Sequence, residues 1–401
     1  MSEHPPVTPD ADGEPAAYQS EARTGADAAA TDAADTRPDR RRRRRGGFWH
    51  RHRALAALLA LIGLIVAGVA GFGVFLNKQV SDIGRVVAAP EEGKRPPAVP
   101  VDVTNPQGPA TVPPNGGSGI TILLAGADNG DDGSSIAESV RAGRWKPGQH
   151  RSDTIMVLHI SGDRQRVYVV SIPRDTFTAI DGHGSTKINA AFSYGGPQLM
   201  QLTVEQFAGI RMDHLAIIDW NGFRDVSTAL GGVTVYVAED MYDPMHKYSW
   251  KKGPHTLMGD EALEYVRTRY GLQNGDFDRI QRQQNFLREM LRKLVSKGTL
   301  TNPMTLADAV SAVTKNLVLD EGFSDGDIRS LAWQMRDIRV ENVTFLTVPI
   351  TSYGTEGGAS VLYADRQKTQ ELFYALWADR MPEFLAANPG LTQLKAPDQV
   401  R

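Results

Sequence analysis

Short apolar runs alternate with longer amphipathic stretches over much of the chain, from residue 120 to residue 348. Apolar runs of about four to eight residues are typical of buried strands, whereas apolar positions spaced three and four apart are typical of helices. The pattern predicts strands at Ile120–Ala125, Thr154–Ile160, Arg166–Ile172, His214–Trp220, Val233–Val237 and Val343–Val348. It predicts helices at Pro197–Phe207, Gly222–Leu230, Asp260–Arg267, Phe277–Lys297, Leu306–Asn316 and Asp325–Ile338. This alternation favours an α/β fold, an αβα sandwich in which helices flank a central mixed sheet.

One apolar stretch is too long for a buried strand. Nine arginines fall between Arg37 and Arg53, and 23 uncharged, mostly apolar residues follow at 54–76. A helix rises about 1.5 Å per residue, so this one can cross a hydrocarbon layer of about 30 Å. Because basic flanks stay in the cytoplasm, we expect a single-pass protein of the cell membrane with its N-terminus inside and the later chain outside. The alternative is a cleaved secretory signal, whose apolar region is usually shorter.

Composition divides the rest of the chain. Residues 1–53 carry few large apolar side chains and end in the arginine run, so we expect a disordered cytoplasmic tail. Residues 77–118 are rich in proline and end in Gly-Gly-Ser, which predicts a stalk with order beginning at Ile120. We expect one large outer domain at 119–386 and a flexible tail at 387–401.

Charge and cysteine content narrow the class of protein. The chain has 401 residues, no cysteine and a net charge of −3. The outer domain therefore needs a hydrophobic core rather than disulfides, and its charge gives no sign of nucleic-acid binding. The arginine run beside the apolar stretch suits anionic lipid headgroups.

Charged side chains stand at the ends of several predicted strands. Asp128 follows the first strand, Arg151 and Asp153 precede the second, and Arg174 and Asp175 follow the third. Ligand crevices in open α/β sheets form at strand ends. Each charge alone could be a solvated loop residue, but several around successive strands favour a site.

A second polar cluster covers the end of one predicted helix and the start of the next. Arg267 and Arg269 share a face only if the backbone becomes extended between them. On the next helix Arg279 and Gln283 lie on one face, with Arg282 beside them. The alternative is a solvated helix face with local ion pairs.

Other chemistries lack their motifs. The sequence contains no P-loop, no His-x-x-x-His and no nucleophile elbow. The nine histidines are scattered, so we do not expect a zinc site.

Six motifs follow one another along the chain: Arg151-Ser152-Asp153-Thr154, Ile172-Pro173-Arg174-Asp175, Lys187-Ile188-Asn189-Ala190-Ala191, Ala229-Leu230-Gly231-Gly232-Val233, Leu263-Glu264-Tyr265-Val266-Arg267-Thr268-Arg269 and Asp278-Arg279-Ile280-Gln281-Arg282-Gln283-Gln284. In this order and spacing they resemble the LytR–CpsA–Psr family of membrane-anchored bacterial cell-wall ligases, and the composition suggests an actinobacterial source. The resemblance runs from about Ile120 to Val348.

The resemblance implies a reaction. A polyprenyl-diphosphate-linked anionic glycopolymer would enter the site, and its glycan phosphate would pass to a sugar hydroxyl of peptidoglycan with Mg²⁺ present. Asp128 and Asp153 match the family's metal positions. The matching catalytic residues are Arg174, Asp175, Arg267 and Arg269, and those for the diphosphate are Arg151, Lys187, Arg279, Arg282 and Gln283. Asp175 would either orient Arg174 or take the proton of the acceptor hydroxyl.

The family holds the prenyl chain in an apolar pocket between sheet and helices. The candidate walls here are Phe192, Phe207, Leu215, Ile217, Phe223, Leu287, Met290 and Leu291. Apolar periodicity looks the same in a pocket and in a solid core, so each residue could instead belong to the core.

Two points keep alternatives open. The family's short loop and arginine after the first aspartate are replaced here by the longer segment 129–150, in which Arg141 or Arg144 could substitute for that arginine, or which could form a lid. A diphosphate hydrolase or binding module would need the same pocket, and a membrane-bound transcriptional attenuator would need its globular part in the cytoplasm.

Overall fold

The computed structural model describes residues 67, 70–103, 112–128, 133, 135–144, 146, 150–269, 276–391 and 393–400. Its strands are β1 (Gly84–Val86), β2 (Ile120–Ala127), β3 (Ser152–Ile160), β4 (Val167–Ile172), β5 (Phe177–Ile180), β6 (Gly184–Lys187), β7 (His214–Asp219), β8 (Val233–Val237), β9 (Met241–Asp243), β10 (Tyr248–Trp250), β11 (Gly253–Leu257), β12 (Leu317–Asp320), β13 (Val343–Thr347), β14 (Ile350–Glu356) and β15 (Ala359–Ala364). Its helices are α1 (Ile136–Arg141), α2 (Ala190–Ala208), α3 (Trp220–Ala229), α4 (Gly259–Arg267), α5 (Asp276–Leu294), α6 (Lys297–Leu300), α7 (Pro303–Asn316), α8 (Asp325–Gln334), α9 (Arg366–Trp377) and α10 (Met381–Ala387).

Seven strands form the central sheet, in the order β1-β12-β7-β2-β3-β4-β13. The pairs β2–β3, β3–β4 and β7–β12 are antiparallel. The pairs β1–β12, β2–β7 and β4–β13 are parallel, so the predicted mixed sheet is confirmed. The predicted strand β8 exists but lies outside this sheet, since it pairs with β11 in a separate two-stranded sheet.

Helices cover both faces of the sheet because alternate strand residues are apolar on both sides. On one face α2 and α9 pack on the sheet through a core cluster that includes Leu123, Val157, Val170, Leu215, Phe207 and Phe373. On the other face α5 and α8 contribute to a cluster that includes Met156, Val169, Phe345, Leu287 and Leu331. The predicted αβα sandwich is therefore confirmed.

A proline precedes the main part of α2, as the sequence predicts. Gly196 has φ 66° and ψ −152° and breaks the helix immediately before Pro197. The left-handed φ suits glycine, and the fixed φ of proline suits the first helical turn.

The prediction that order begins at Ile120 is wrong. Within the predicted stalk, β1 pairs with β12 at the edge of the central sheet. Farther along the same segment Arg95 forms an ion pair of 2.6 Å with the fully buried Glu205 of α2. A strand of three residues is too short to give a periodic signal, so proline content dominated the prediction.

The predicted flexible tail at 387–401 is also wrong for its described part. The backbone N–H of Leu394 donates to the carbonyl oxygen of Phe345 in β13, at 3.1 Å. The N–H of Lys395 donates to Gln281 Oε1 at 2.9 Å, and Val400 is fully buried. Backbone hydrogen bonds hold this segment, and they leave no apolar pattern in the sequence.

The predicted tail at 1–53 and most of the predicted transmembrane helix at 54–76 lie outside the described residues. Residues 70–81 are helical. Within the described part of the chain, no helix combines the length and the apolar character that crossing a membrane requires.

Candidate functional site

A cavity of about 750 Å³ lies over one face of the central sheet. Its sheet side is made by residues of β2, β3 and β7, and its other walls come from α3, α4 and α5. The apolar side chains that line it include Leu124, Met156, Ala216, Ile218, Phe223, Val226, Leu263, Val266, Leu287 and Met290. The cavity can therefore hold an apolar chain.

Charged residues line the cavity where three strand ends meet. Gly126 of β2 lies opposite Thr154 of β3, and Ile155 lies opposite Ile172 of β4. The ends of β2 and β4 therefore share one sheet edge with the start of β3. The charged or amide side chains that predicted this site and line the cavity are Asp153, Arg174, Arg267, Arg269, Arg279 and Gln283. The two polar clusters of the sequence thus form one site.

The end of α4 brings two arginines to the same cavity. The helix ends at Arg267, and Thr268 has the extended backbone angles φ −57° and ψ 139°. This is the condition under which Arg267 and Arg269 share a face, and both line the cavity. The Arg267 guanidinium carbon lies 3.8 Å from the centre of the Trp220 ring, and its Nη1 donates to Glu264 Oε1 at 3.0 Å. Stacking and ion pairing together fix this side chain.

An ion-pair chain holds Arg174. Its Nη1 donates to Asp153, and its Nε lies 4.0 Å from Asp175 Oδ1. The same Asp175 oxygen lies 2.9 Å from Lys187 Nζ. Neither Asp175 nor Lys187 is among the residues that line the cavity. Asp175 therefore pairs mainly with Lys187, and its position outside the cavity lining gives no support to proton transfer.

Arg279 is a buried cation in the cavity wall. Its side chain is 5% exposed, and Nη2 lies 2.6 Å from Asp276 Oδ1. Burial holds the pKa of Arg279 below its ordinary value. The Asp276 carboxylate opposes this shift, and the positive charge of Arg174 adds to it. Burial likewise raises the pKa of Asp276.

The Nε atoms of Arg174 and Arg279 are buried and have no hydrogen-bond acceptor within the described part of the chain. Buried donors without acceptors cost free energy, typically about 1–3 kcal/mol each. An anion in the cavity would reduce the repulsion between the two guanidinium groups.

The two carboxylates that were predicted to bind Mg²⁺ are Asp128 and Asp153, and of these Asp153 lines the cavity whereas Asp128 does not. The backbone N–H of Arg151 donates to Asp128 Oδ1 at 2.5 Å. Burial raises the pKa of Asp128, and the nearby Asp153 carboxylate adds to the rise. Two repelling carboxylates are a donor set that suits Mg²⁺. The Arg151 side chain is exposed and does not line the cavity, so its predicted diphosphate contact is not supported.

The predicted replacement of the missing family arginine does not hold for Arg141. Its Nε donates to the carbonyl oxygen of Asp82 at 3.2 Å, and its Nη2 donates to that of Lys315. Lys315 lies in the last turn of α7, so Arg141 joins a helix end to the N-terminal segment. Arg144 is exposed. The rest of segment 129–150 falls partly outside the described residues.

Arg282 was predicted to bind the diphosphate, and the structure contradicts this. Its side chain is fully buried, and Nη1 donates to the carbonyl oxygens of Tyr265 and Thr268, both at 3.1 Å. It does not line the cavity. Arg282 therefore fastens α5 to the end of α4, which positions Arg267.

We expect Arg282→Met to lower the free energy of unfolding by about 1–3 kcal/mol, because two buried carbonyls lose a donor. Chemical denaturation of this variant and of the exposed control Arg292→Met measures the difference. A stability equal to that of the control, together with weaker donor binding, would restore the predicted ligand role.

Three of the eight residues that were predicted to form the lipid pocket lie at the cavity. Phe223, Leu287 and Met290 line the cavity. Four of the other predicted residues lie in the core on the opposite face of the sheet, at most 1% exposed: Phe192, Phe207, Leu215 and Ile217. Leu291 also packs in a core cluster rather than against the cavity. In β7 the neighbours Ala216 and Ile218 line the cavity, so Leu215 and Ile217 must point to the other face.

Sequence reasoning missed three residues beside the arginines. Trp220 begins α3, and Asp243 and His246 lie at the end of β9 and in the turn after it, yet all three line the cavity. No motif marked them, and their distance from Arg267 along the chain hid their proximity. The spacing Asp-x-x-His within the turn is the only local signal.

Comparison with known proteins identifies the family to which the chain is similar. The LytR_cpsA_psr family model matches residues 89–377. The cell wall biosynthesis protein LcpA of Corynebacterium glutamicum is 33% identical over 303 residues, which cover 67% of this chain and 58% of LcpA. The chain thus spans less than two thirds of that relative's length.

Two further relatives match more of their own length. The polyisoprenyl-teichoic acid–peptidoglycan teichoic acid transferase TagU of Halalkalibacterium halodurans is 29% identical over 313 residues, covering 74% of this chain and 93% of TagU. The structure of TagT bound to LI-WTA is 25% identical with a TM-score of 0.51, covering 73% of this chain and 99% of TagT.

Proposed function

Because the chain belongs to the LytR–CpsA–Psr family, we propose that it is a phosphotransferase that moves an anionic glycopolymer from a polyprenyl diphosphate to a sugar hydroxyl of peptidoglycan. The observation that carries this proposal is one cavity with apolar walls and a cluster of arginines where strand ends meet. A lipid with a diphosphate head has the same two chemical parts. TagU is named as a teichoic acid transferase, and TagT was solved with a wall teichoic acid ligand, which supports the proposal.

The apolar part of the cavity would take the prenyl chain. Its volume of about 750 Å³ lies within the range of ligand pockets. Burial of apolar surface contributes roughly 25 cal/mol per Å², so the prenyl group would supply much of the free energy of donor binding. The diphosphate would then lie against the arginines at the sheet edge.

The reaction needs charge neutralisation more than covalent help from the protein. The acceptor oxygen attacks the phosphorus next to the glycan, the bond from that phosphorus to the bridging oxygen breaks, and prenyl phosphate leaves with that oxygen. The acceptor proton passes to solvent or to the leaving phosphate. Arg174, Arg267 and Arg279 would neutralise the charge that develops, and their planar forks suit phosphate oxygens.

Asp128 and Asp153 would hold Mg²⁺ near the diphosphate. When bound, the cation supplies further neutralisation of phosphate charge. Asp153 also binds Arg174, so one carboxylate would link the cation to the arginine cluster.

We also propose that the globular part works outside the cell, with the N-terminal arginines inside. A reporter that is active only outside the cytoplasm, fused to the C-terminus, is expected to be active, because basic flanks remain inside. A reporter that works only in the cytoplasm should be silent. The opposite pattern would exclude peptidoglycan as acceptor and would favour an attenuator.

Transfer can be measured with the full-length protein in membranes, a labelled lipid-linked glycopolymer, Mg²⁺ and peptidoglycan. The proposal predicts label that is covalently bound to the wall and a matching amount of released prenyl phosphate. Release of free glycopolymer alone, with no label on the wall, would identify a hydrolase instead.

A further inference from the structure

We propose that Asp243, His246 and Glu264 form a binding site for a transition-metal dication, of which Zn²⁺ is the reference case, at the wall of the cavity. In the described part of the chain each offers a ligand atom, and the three atoms lie within 4.8 Å of one another. The site is separate from the pair Asp128 and Asp153, and it rests on different residues from the transfer reaction.

The spacing of the ligand atoms fits a metal. His246 Nδ1 lies 3.1 Å from Asp243 Oδ2 and 3.0 Å from Glu264 Oε2. Metal–nitrogen and metal–oxygen distances for Zn²⁺ are about 2.0–2.2 Å, so two ligands at 90–110° stand about 3.0–3.5 Å apart. The imidazole nitrogen is therefore already at ligand distance from both carboxylates.

Hydrogen bonding within the group is incomplete. Nδ1 carries at most one proton, so it can donate to one of the two carboxylates. Glu264 Oε2 is buried and has no hydrogen bond to any described residue. The Asp243 side chain is fully buried, and its other oxygen accepts the backbone N–H groups of Met245 and His246, at 2.9 and 3.1 Å. The Asp243 carboxylate also accepts a hydrogen bond from the Thr268 side chain. A cation would supply Glu264 Oε2 with the partner that it lacks.

The donor set selects the class of cation. One imidazole nitrogen and two carboxylate oxygens suit Zn²⁺ and similar divalent ions, whereas Mg²⁺ prefers oxygen ligands alone. Asp243 and His246 line the cavity, so a further ligand can come from water or from a phosphate oxygen.

The site is connected to the arginine cluster through Glu264. Its Oε1 accepts a hydrogen bond from Arg267 Nη1 at 3.0 Å, while Oε2 faces His246. A cation on Oε2 would leave Oε1 with Arg267. It would also fasten the turn after β9 to α4.

Metal titration of the full-length protein tests the proposal. The protein is stripped with chelator and titrated with Co²⁺, whose visible absorption reports coordination, and then with Zn²⁺ in a calorimeter. The variants are His246→Ala and Glu264→Gln, and the matched control is His255→Ala, a half-buried histidine whose Nε2 is paired with the carbonyl oxygen of Lys251. Circular dichroism of each metal-free variant checks the fold.

We expect one site that is weakened at least about tenfold in His246→Ala and in Glu264→Gln but not in His255→Ala. Millimolar Mg²⁺ should not displace the bound Co²⁺. Equal binding by all variants, or no binding by the parent protein, would overturn the proposal.

Discussion

Replacing Arg267 with alanine is expected to lower the rate of glycopolymer transfer by about 30- to 5,000-fold while the fold persists. The loss of a buried charge partner typically costs about 2–5 kcal/mol, and each 1.36 kcal/mol is a tenfold change in rate. Arg267 is stacked on Trp220 and paired with Glu264, so its guanidinium is already positioned before donor binds. Because the guanidinium group is already positioned, its removal is expected to lower the rate of transfer strongly.

Lysine should rescue Arg267 poorly, because an ammonium group lacks the planar fork and stacks less well on an aromatic ring. The matched control is Arg292→Ala, on the exposed part of α5, which should transfer at the parental rate. Steady-state transfer and thermal unfolding are measured for all three variants. An alanine variant at position 267 that turns over donor normally would remove this residue from the site.

Asp153→Asn should abolish the stimulation of transfer by Mg²⁺. Asparagine keeps the size of the side chain and can still accept a hydrogen bond from Arg174, but it lacks the charge that a hard cation needs. We expect at least about a 10- to 100-fold loss of transfer at saturating donor. Asp128→Asn should behave in the same way, since the two carboxylates are expected to share the ion.

The control for the metal is Asp163→Asn, an acid in the β3–β4 turn whose partner is Arg166. Transfer by each variant is measured against Mg²⁺ concentration, with chelator as the zero point. Full activity of the parent protein in chelator, or of the double variant at 128 and 153, would mean that the arginines act without a metal.

The sequence predicted the sheet well because its signal is local. Strands such as β2 and β3 bury both faces in a sandwich and therefore read as continuous apolar runs. The short strand β1 and the C-terminal segment were missed for the complementary reason. Their positions depend on backbone hydrogen bonds to β12 and β13. Because such bonds do not require particular side chains, they leave no pattern in the sequence.

Several of the arginines that the sequence singled out lie at the cavity. The residues that were misplaced are those whose direction is set by packing between elements. Arg174 follows β4, Arg267 ends α4 and Arg279 lies in the first turn of α5, and all three line the cavity. Arg282 is one turn of helix from Arg279 but points between α5 and α4, and helical periodicity alone does not separate a cavity wall from a helix contact. Leu215 was misplaced for the same reason, since both faces of β7 are apolar.

The proximity of His246 to Glu264 could not be predicted from the sequence either. Scattered histidines led us to expect no zinc site, yet the turn after β9 brings His246 to within 3.0 Å of Glu264 on α4. Motif spacing finds ligands that share one element, and this group is divided between two.

Photo-crosslinking tests the central claim that the cavity holds the lipid and the arginines hold its diphosphate. A polyprenyl diphosphate with a photoreactive group in the prenyl chain is bound to the full-length protein, irradiated and mapped by mass spectrometry. We predict labels on α3 and α5 near Phe223 and Met290, reduced by unlabelled donor and by Arg267→Ala. Labels near Phe192 and Phe207 on the opposite face, or labelling that unlabelled donor does not reduce, would contradict the account.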